Sequence, residues 1–167
     1  ISLLGTNPAA AQVKVFHPTV EKGEAELEYR GSRSNDGRVT KDDEQKHKVA
    51  VGYGVTDIWF TEIEAKWKKA PEGSTEYTAT EWENIIQITQ PGEYWLTFGL
   101  FGEYSIAEKK TAADKIEFGP IFQKEFGPTL NTVNLFLEKE IGANSTTGTT
   151  FEYGWQTRWR WRKELEF

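Results

Sequence analysis

The 167 residues carry a formal charge of −6, with 20 Lys and Arg against 26 Asp and Glu, so no basic face is free to neutralise phosphates and nucleic acid is excluded as a partner. The chain has no Cys, which removes disulfide frameworks and thiolate metal sites, and no apolar run approaches the roughly 18 residues of a membrane helix. Hydrophobic residues make up only 37% while aromatic residues reach 14%, a combination that fits strands with one apolar, aromatic face and one charged face.

At the N-terminus, Ile1-Ser2-Leu3-Leu4-Gly5 is apolar or small, and Asn7-Pro8-Ala9-Ala10-Ala11-Gln12 follows. Ala9-x-Ala11 has the small-residue pattern of a secretory cleavage site. Residues 1–11 therefore read as a signal-peptide remnant of an exported chain. Residues 12–20 read as an N-terminal arm and 21–167 as a β-barrel domain.

From there, alternation with period two recurs and no segment has helical periodicity. The first strand sets Glu24, Glu26, Glu28 and Arg30 against Ala25, Leu27 and Tyr29. The second sets Lys48, Ala50, Gly52 and Gly54 against Val49, Val51, Tyr53 and Val55. In the third, Glu62, Glu64, Lys66 and Lys68 oppose Trp59, Thr61, Ile63, Ala65 and Trp67. In the fourth, Glu81, Glu83 and Gln87 oppose Trp82, Ile86 and Ile88. The fifth sets Thr97, Gly99, Phe101 and Glu103 against Leu96, Phe98, Leu100, Tyr104 and Ile106. The sixth sets Glu117, Gly119, Gln123 and Glu125 against Ile116, Phe118, Pro120 and Phe122. In the seventh, Asn134, Phe136, Glu138 and Glu140 oppose Val133, Leu135, Leu137 and Ile141. The eighth is the clearest: Phe151, Tyr153, Trp155, Thr157, Trp159 and Trp161 share one face, and Glu152, Gly154, Gln156, Arg158, Arg160 and Arg162 the other.

Thr56-Asp57, Gln90-Pro91-Gly92-Glu93 and Gly127-Pro128 read as tight turns. Longer polar loops run from Ser34 to Glu44, Lys69 to Glu76, Ala107 to Asp114 and Gly142 to Thr149. Long and short connections alternate, as they do in membrane barrels. Pro120 lies inside a strand, where it removes a ladder donor and predicts a bulge or a broken ladder. The pattern as a whole predicts an all-β fold, an antiparallel up-and-down (meander) transmembrane β-barrel of about eight strands.

Alternation alone leaves two polarities open. A soluble barrel places its apolar residues inside, and a membrane barrel does the reverse. Aromatic residues near strand ends favour the membrane. The lipid-facing aromatic set is then Trp59, Trp67, Trp82, Tyr104, Tyr153, Trp155, Trp159, Trp161 and Phe167. Lys124, Lys139 and Lys163, in the apolar phase, sit near strand ends where they can snorkel.

In this layout the chain resembles small bacterial outer-membrane β-barrel proteins and is similar to the membrane domain of outer-membrane protein A. The resemblance covers Glu21 to Phe167 and includes the C-terminal aromatic Phe167, with Leu165, Trp161 and Trp159 at alternate positions before it; Lys163 departs from the pattern. The segments Glu81-Trp82-Glu83-Asn84-Ile85-Ile86-Gln87 and Pro91-Gly92-Glu93-Tyr94-Trp95 also look like an uncharacterised group of exported proteobacterial barrel proteins. The resemblance implies the outer membrane of a Gram-negative bacterium, a lipid bilayer as partner, and recognition by the barrel-assembly machinery. It leaves open a barrel larger than eight strands, of which this chain is a part, and a protein partner at the long loops.

With charges inward, the lumen network comprises Glu24, Glu26, Glu28, Arg30, Glu62, Glu64, Glu81, Glu83, Glu103, Glu138, Arg158, Arg160 and Arg162. Closure of the eighth strand on the first would set the first-strand glutamates beside the last-strand arginines. The expected role is structural or passive permeation through a narrow, charge-lined pore. The alternative is a soluble exported barrel that binds a small apolar ligand. No catalytic constellation, metal site or cofactor is expected: His17 and His47 lie at strand margins, and the acids Asp36, Asp42, Asp43 and Glu44 lack the spacing of a calcium loop.

Overall fold

The computed structural model describes residues 14–34, 42–162 and 165–166. Most of this span is strand: β1 (Ala25–Arg33), β2 (Gln45–Gly54), β3 (Trp59–Lys69), β4 (Thr75–Gln87), β5 (Thr97–Ala107), β6 (Asp114–Phe126), β7 (Thr129–Ile141), β8 (Thr149–Arg162) and the two-residue β9 (Leu165–Glu166). Each strand pairs antiparallel with its sequence neighbour, in the order β1 to β9. The expected eight-stranded up-and-down meander is therefore present, as one curled sheet.

The register aligns like with like across the sheet. Leu27, Val51, Ile63, Trp82, Tyr104 and Ile116 stand opposite one another in turn, forming an apolar row over six strands. This row is on the convex face, where Leu27 is 80% exposed and Tyr153 and Trp155 are 72% and 70% exposed. The concave face carries the charged phase, and Glu62, Glu64, Glu81 and Glu83 are buried there. The polarity left open by alternation is thus apolar outward and charged inward.

Convex polar groups are paired. Trp59 Nε1 donates to Asn84 (3.0 Å), Trp82 Nε1 to Thr61 (2.8 Å) and the Tyr104 hydroxyl to Asp114 (3.0 Å). Trp159 is also exposed on this face, while Trp59, Trp67 and Tyr104 are half-buried. Phe167, Lys163 and residues 1–11 lie outside the described residues, as do the side chains of Trp161 and Arg162.

Three expectations need correction. The connection 88–96 is not short. Its Gln90–Glu93 turn forms, with the Glu93 N–H on the Gln90 carbonyl (3.1 Å), but Tyr94 and Trp95 follow and are exposed. The alternation of loop lengths therefore fails at this one connection. Next, the charged phase is not wholly polar: Ile85, Phe101, Ile121 and Phe136 are buried on it as an apolar cluster. Finally, among the described residues β1 and β8 do not pair, so the sheet is a half-barrel rather than a closed one. The concave side of the open sheet is occupied by that apolar cluster, with Phe16 and Val20 of the arm packed against it.

The break expected at Pro120 is real. The β6–β7 register runs to Phe118↔Leu137 and resumes at Ile121↔Asn134. Beside it, a Cβ on Gly119 would meet the Leu135 carbonyl oxygen at 2.0 Å. Because that neighbour is backbone, Gly119→Ala should cost about 3 kcal/mol, the upper end for overpacking. Denaturant titration of the two proteins checks this.

Candidate functional site

The pairing registers bring five glutamates to one rung of the sheet. Glu62 faces Glu83, Glu83 faces Glu103, Glu103 faces Glu117 and Glu117 faces Glu138. All five are on the concave face. Like charges directly opposite across strands are destabilising, so the row requires countercharge.

Countercharge comes from lysines on neighbouring rungs and from the arm. Lys48 Nζ is 2.8 Å from Glu64, Lys115 Nζ is 2.9 Å from Glu138, and Lys66 pairs with Glu81, whose carboxylate also accepts from the Ser105 hydroxyl at 3.1 Å. Lys14 bridges Glu62 and Glu83, the latter at 2.8 Å. Burial disfavours the Lys14 ammonium, yet the Glu83 and Glu62 carboxylates outweigh it and raise its pKa above that of a free lysine. Glu103 and Glu117 make no ion pair among the described residues and line a cavity of about 600 Å³ beside Glu138, Glu152, Lys48 and Lys66.

The arginines play another part than expected. Glu24, just before β1, and Glu26, on it, are exposed, and Arg30 pairs with Glu28 on its own strand. Arg158 donates to His17 and to Gln156 (3.1 Å), and Arg160 pairs with Glu125 at 3.3 Å. The expected pairing of Glu24, Glu26 and Glu28 with Arg158 and Arg160 is not formed, because the strands that carry them do not meet.

Residues 14–20 run through the interior. Lys14 sits on the glutamate row, and the Phe16 ring lies 4.2 Å from Phe101 and 6.0 Å from Phe136 between centroids. The Asn134 side chain accepts the Phe16 N–H (2.8 Å) and donates to its carbonyl (3.0 Å). His17 Nδ1 is 3.1 Å from the Gln123 side chain, and Gln87 accepts the Val20 N–H at 2.8 Å. Past His17 lies a second cavity of about 460 Å³, lined by Trp95, Gln123, Arg158 and Arg160. The interior is thus two polar chambers with an apolar waist of Ile85, Phe101, Ile121, Phe136 and Phe16 between them.

Inward glycines make room for this arm. A Cβ on Gly99 would come within 2.9 Å of Pro18, and one on Gly154 within 3.2 Å of Val15. Asn134 is 1% exposed, so Asn134→Ala leaves both polar groups of Phe16 without their partner. A loss of about 1–3 kcal/mol is expected in an unfolding titration.

Carboxylate oxygens of Glu62, Glu64 and Glu83, and of Glu81, Glu83 and Glu103, lie within 4.8 Å of one another. Lys14, Lys48 and Lys66 already meet these two groups as internal cations. His47 accepts from or donates to the Tyr29 hydroxyl at 2.8 Å on the exposed side of β2. No family model matches the chain, and neither does any curated protein or solved structure.

Proposed function

We propose that this chain builds the wall of a Gram-negative outer-membrane β-barrel, with an interior suited to passive permeation of cations or to a purely structural role. What carries the reading is polarity. An exposed convex face of Leu27, Val51, Ile63, Trp82 and Trp155 suits hydrocarbon, while the concave face buries carboxylates and ammonium groups. A soluble barrel that holds an apolar ligand needs the opposite arrangement. Within the wall, the row Glu62, Glu83, Glu103, Glu117 and Glu138 resembles in its chemistry the carboxylate arcs that favour cations in pores.

Among the described residues β1 has no partner on its outer edge and β8 meets only the two-residue β9 there, which favours a wider barrel over self-closure of these eight strands. Hydrocarbon offers no partner for a strand edge, so both edges require strands against them. A closed eight-stranded barrel has an interior just wide enough for side chains. This interior holds a peptide segment and two chambers of about 600 and 460 Å³ besides.

Extraction and gel migration test the membrane reading. Release only by detergent, and faster migration of the unheated protein, are expected; release by salt or freeze–thaw alone would overturn it. Planar bilayers then separate the two roles. Permeation predicts conductance that rises in Phe16→Ala, which opens the waist, and falls in Glu103→Gln. Silence in all three proteins leaves the structural role.

A further inference from the structure

Residues 14–20 are held in the way a protein holds a peptide ligand. Their main chain makes no hydrogen bond to strand main chain among the described residues. Side chains supply the recognition instead. Asn134 clamps both polar groups of Phe16, and Gln87 takes the Val20 N–H. Lys14 enters a carboxylate subsite of Glu62 and Glu83, and Phe16 enters an aromatic slot of Phe101 and Phe136. Pro18 packs against Gly99, where a Cβ would come within 2.9 Å of it. Asn134, Gln87, Glu62 and Glu83 are each less than 5% exposed and direct polar atoms at this segment. A chamber lies towards each end of the segment, and the segment is not a strand of the sheet.

We propose that the concave face is a peptide-binding groove whose resident ligand, Lys14–Val20, exchanges in and out. The groove then accepts the same segment from a second copy of the chain, and selects an extended peptide with a cationic residue two positions before an aromatic one. Main-chain capture by Asn134 and Gln87 supplies affinity, and the carboxylate and aromatic subsites supply selectivity. This inference does not depend on whether the convex face meets lipid.

The test uses the full chain refolded in detergent micelles, with its own segment weakened by Lys14→Ala and Phe16→Ala. No strand residue is changed in this variant. The probe is a fluorescent, end-blocked peptide with the sequence of residues 14–20, followed by anisotropy. Saturable binding at least about tenfold tighter than to the unmodified chain is expected, and a further loss of about tenfold when Asn134→Ala is added. A peptide with Glu in place of the Lys and Ser in place of the Phe should not compete. A folded variant that ignores the probe, or binds both peptides alike, overturns the proposal.

A second measurement holds if the weakened variant fails to fold. The chain has no Cys, so Val15→Cys in the otherwise unmodified protein offers a single thiol. Exchange predicts maleimide labelling faster than global unfolding, and faster again when the peptide is added in trans. Labelling only at the global unfolding rate sinks the idea.

Discussion

Lys14→Met should lower the stability of the folded chain by about 3 kcal/mol, the cost of stripping the partner from buried charges. The lysine is the countercharge shared by Glu62 and Glu83, which are 1% and 4% exposed. Its ammonium also lies 4.6 Å from the centroid of the Phe16 ring, an attraction lost with it. The loss should not be additive with changes at its partners. Glu62→Gln and Glu83→Gln, introduced together with Lys14→Met, remove the repulsion that the lysine offsets and should recover most of the difference. Guanidinium titrations of the four combinations measure the coupling; simple additivity would show that the bridge contributes nothing. The pH dependence has a definite sign. The Lys14 pKa is raised above the free lysine value of 10.5, so its contribution is complete below that pH and is lost as pH rises through the folded value. The lysine's titration should therefore close the gap between the unmodified chain and Lys14→Met in strong alkali.

Ile63→Arg should cost about 2–4 kcal/mol in a lipid bilayer, whereas the same change on a water-exposed face should stay within about 0.5 kcal/mol. Ile63 is 50% exposed and stands in the middle of the convex apolar row, between Val51 and Trp82. It has no polar role inside the sheet, so the variant reports on the medium outside. Ile63→Ala serves as the control for lost apolar area. Unfolding from vesicles and gel migration of the unheated protein read out the difference. Equal stability of the Arg and Ala variants in vesicles would remove lipid as the medium around this face.

The strands were legible because their chemistry is local. Alternation identified the charged phase of β3, Glu62-x-Glu64-x-Lys66, and the aromatic phase of β8 before any pairing was known. Register was not legible. Nothing in the separate strands says that Glu62, Glu83, Glu103, Glu117 and Glu138 share a rung, because that depends on how far each hairpin slides. Charge alone therefore pairs the glutamates of the first strand with the arginines of the last, where the protein uses lysines from the adjacent rungs and the arm. The arm is legible as a segment, but its place inside the sheet is not, for a related reason. Its signal lies in residues that break the polar phase: Phe101 and Phe136 among the charges, and Gly99 and Gly154 where a side chain would crowd Pro18 and Val15. These exceptions mark a slot and a channel for another segment. Read as an alternation they look like noise, because the residues that fill them are far away in the chain.

That distance has a kinetic consequence. Every strand of the sheet pairs with its immediate successor, so the sheet can grow hairpin by hairpin with short loops to close. The arm is the exception: Phe16 reaches Asn134 across 118 positions and His17 reaches Arg158 across 141. Contacts of such long span form slowly, because the intervening chain must be ordered first. A segment that precedes every strand in the chain is thus the last to find its place. A refolding experiment should resolve a late phase that quenches or shifts with Phe16→Ala while the formation of β structure is left untouched.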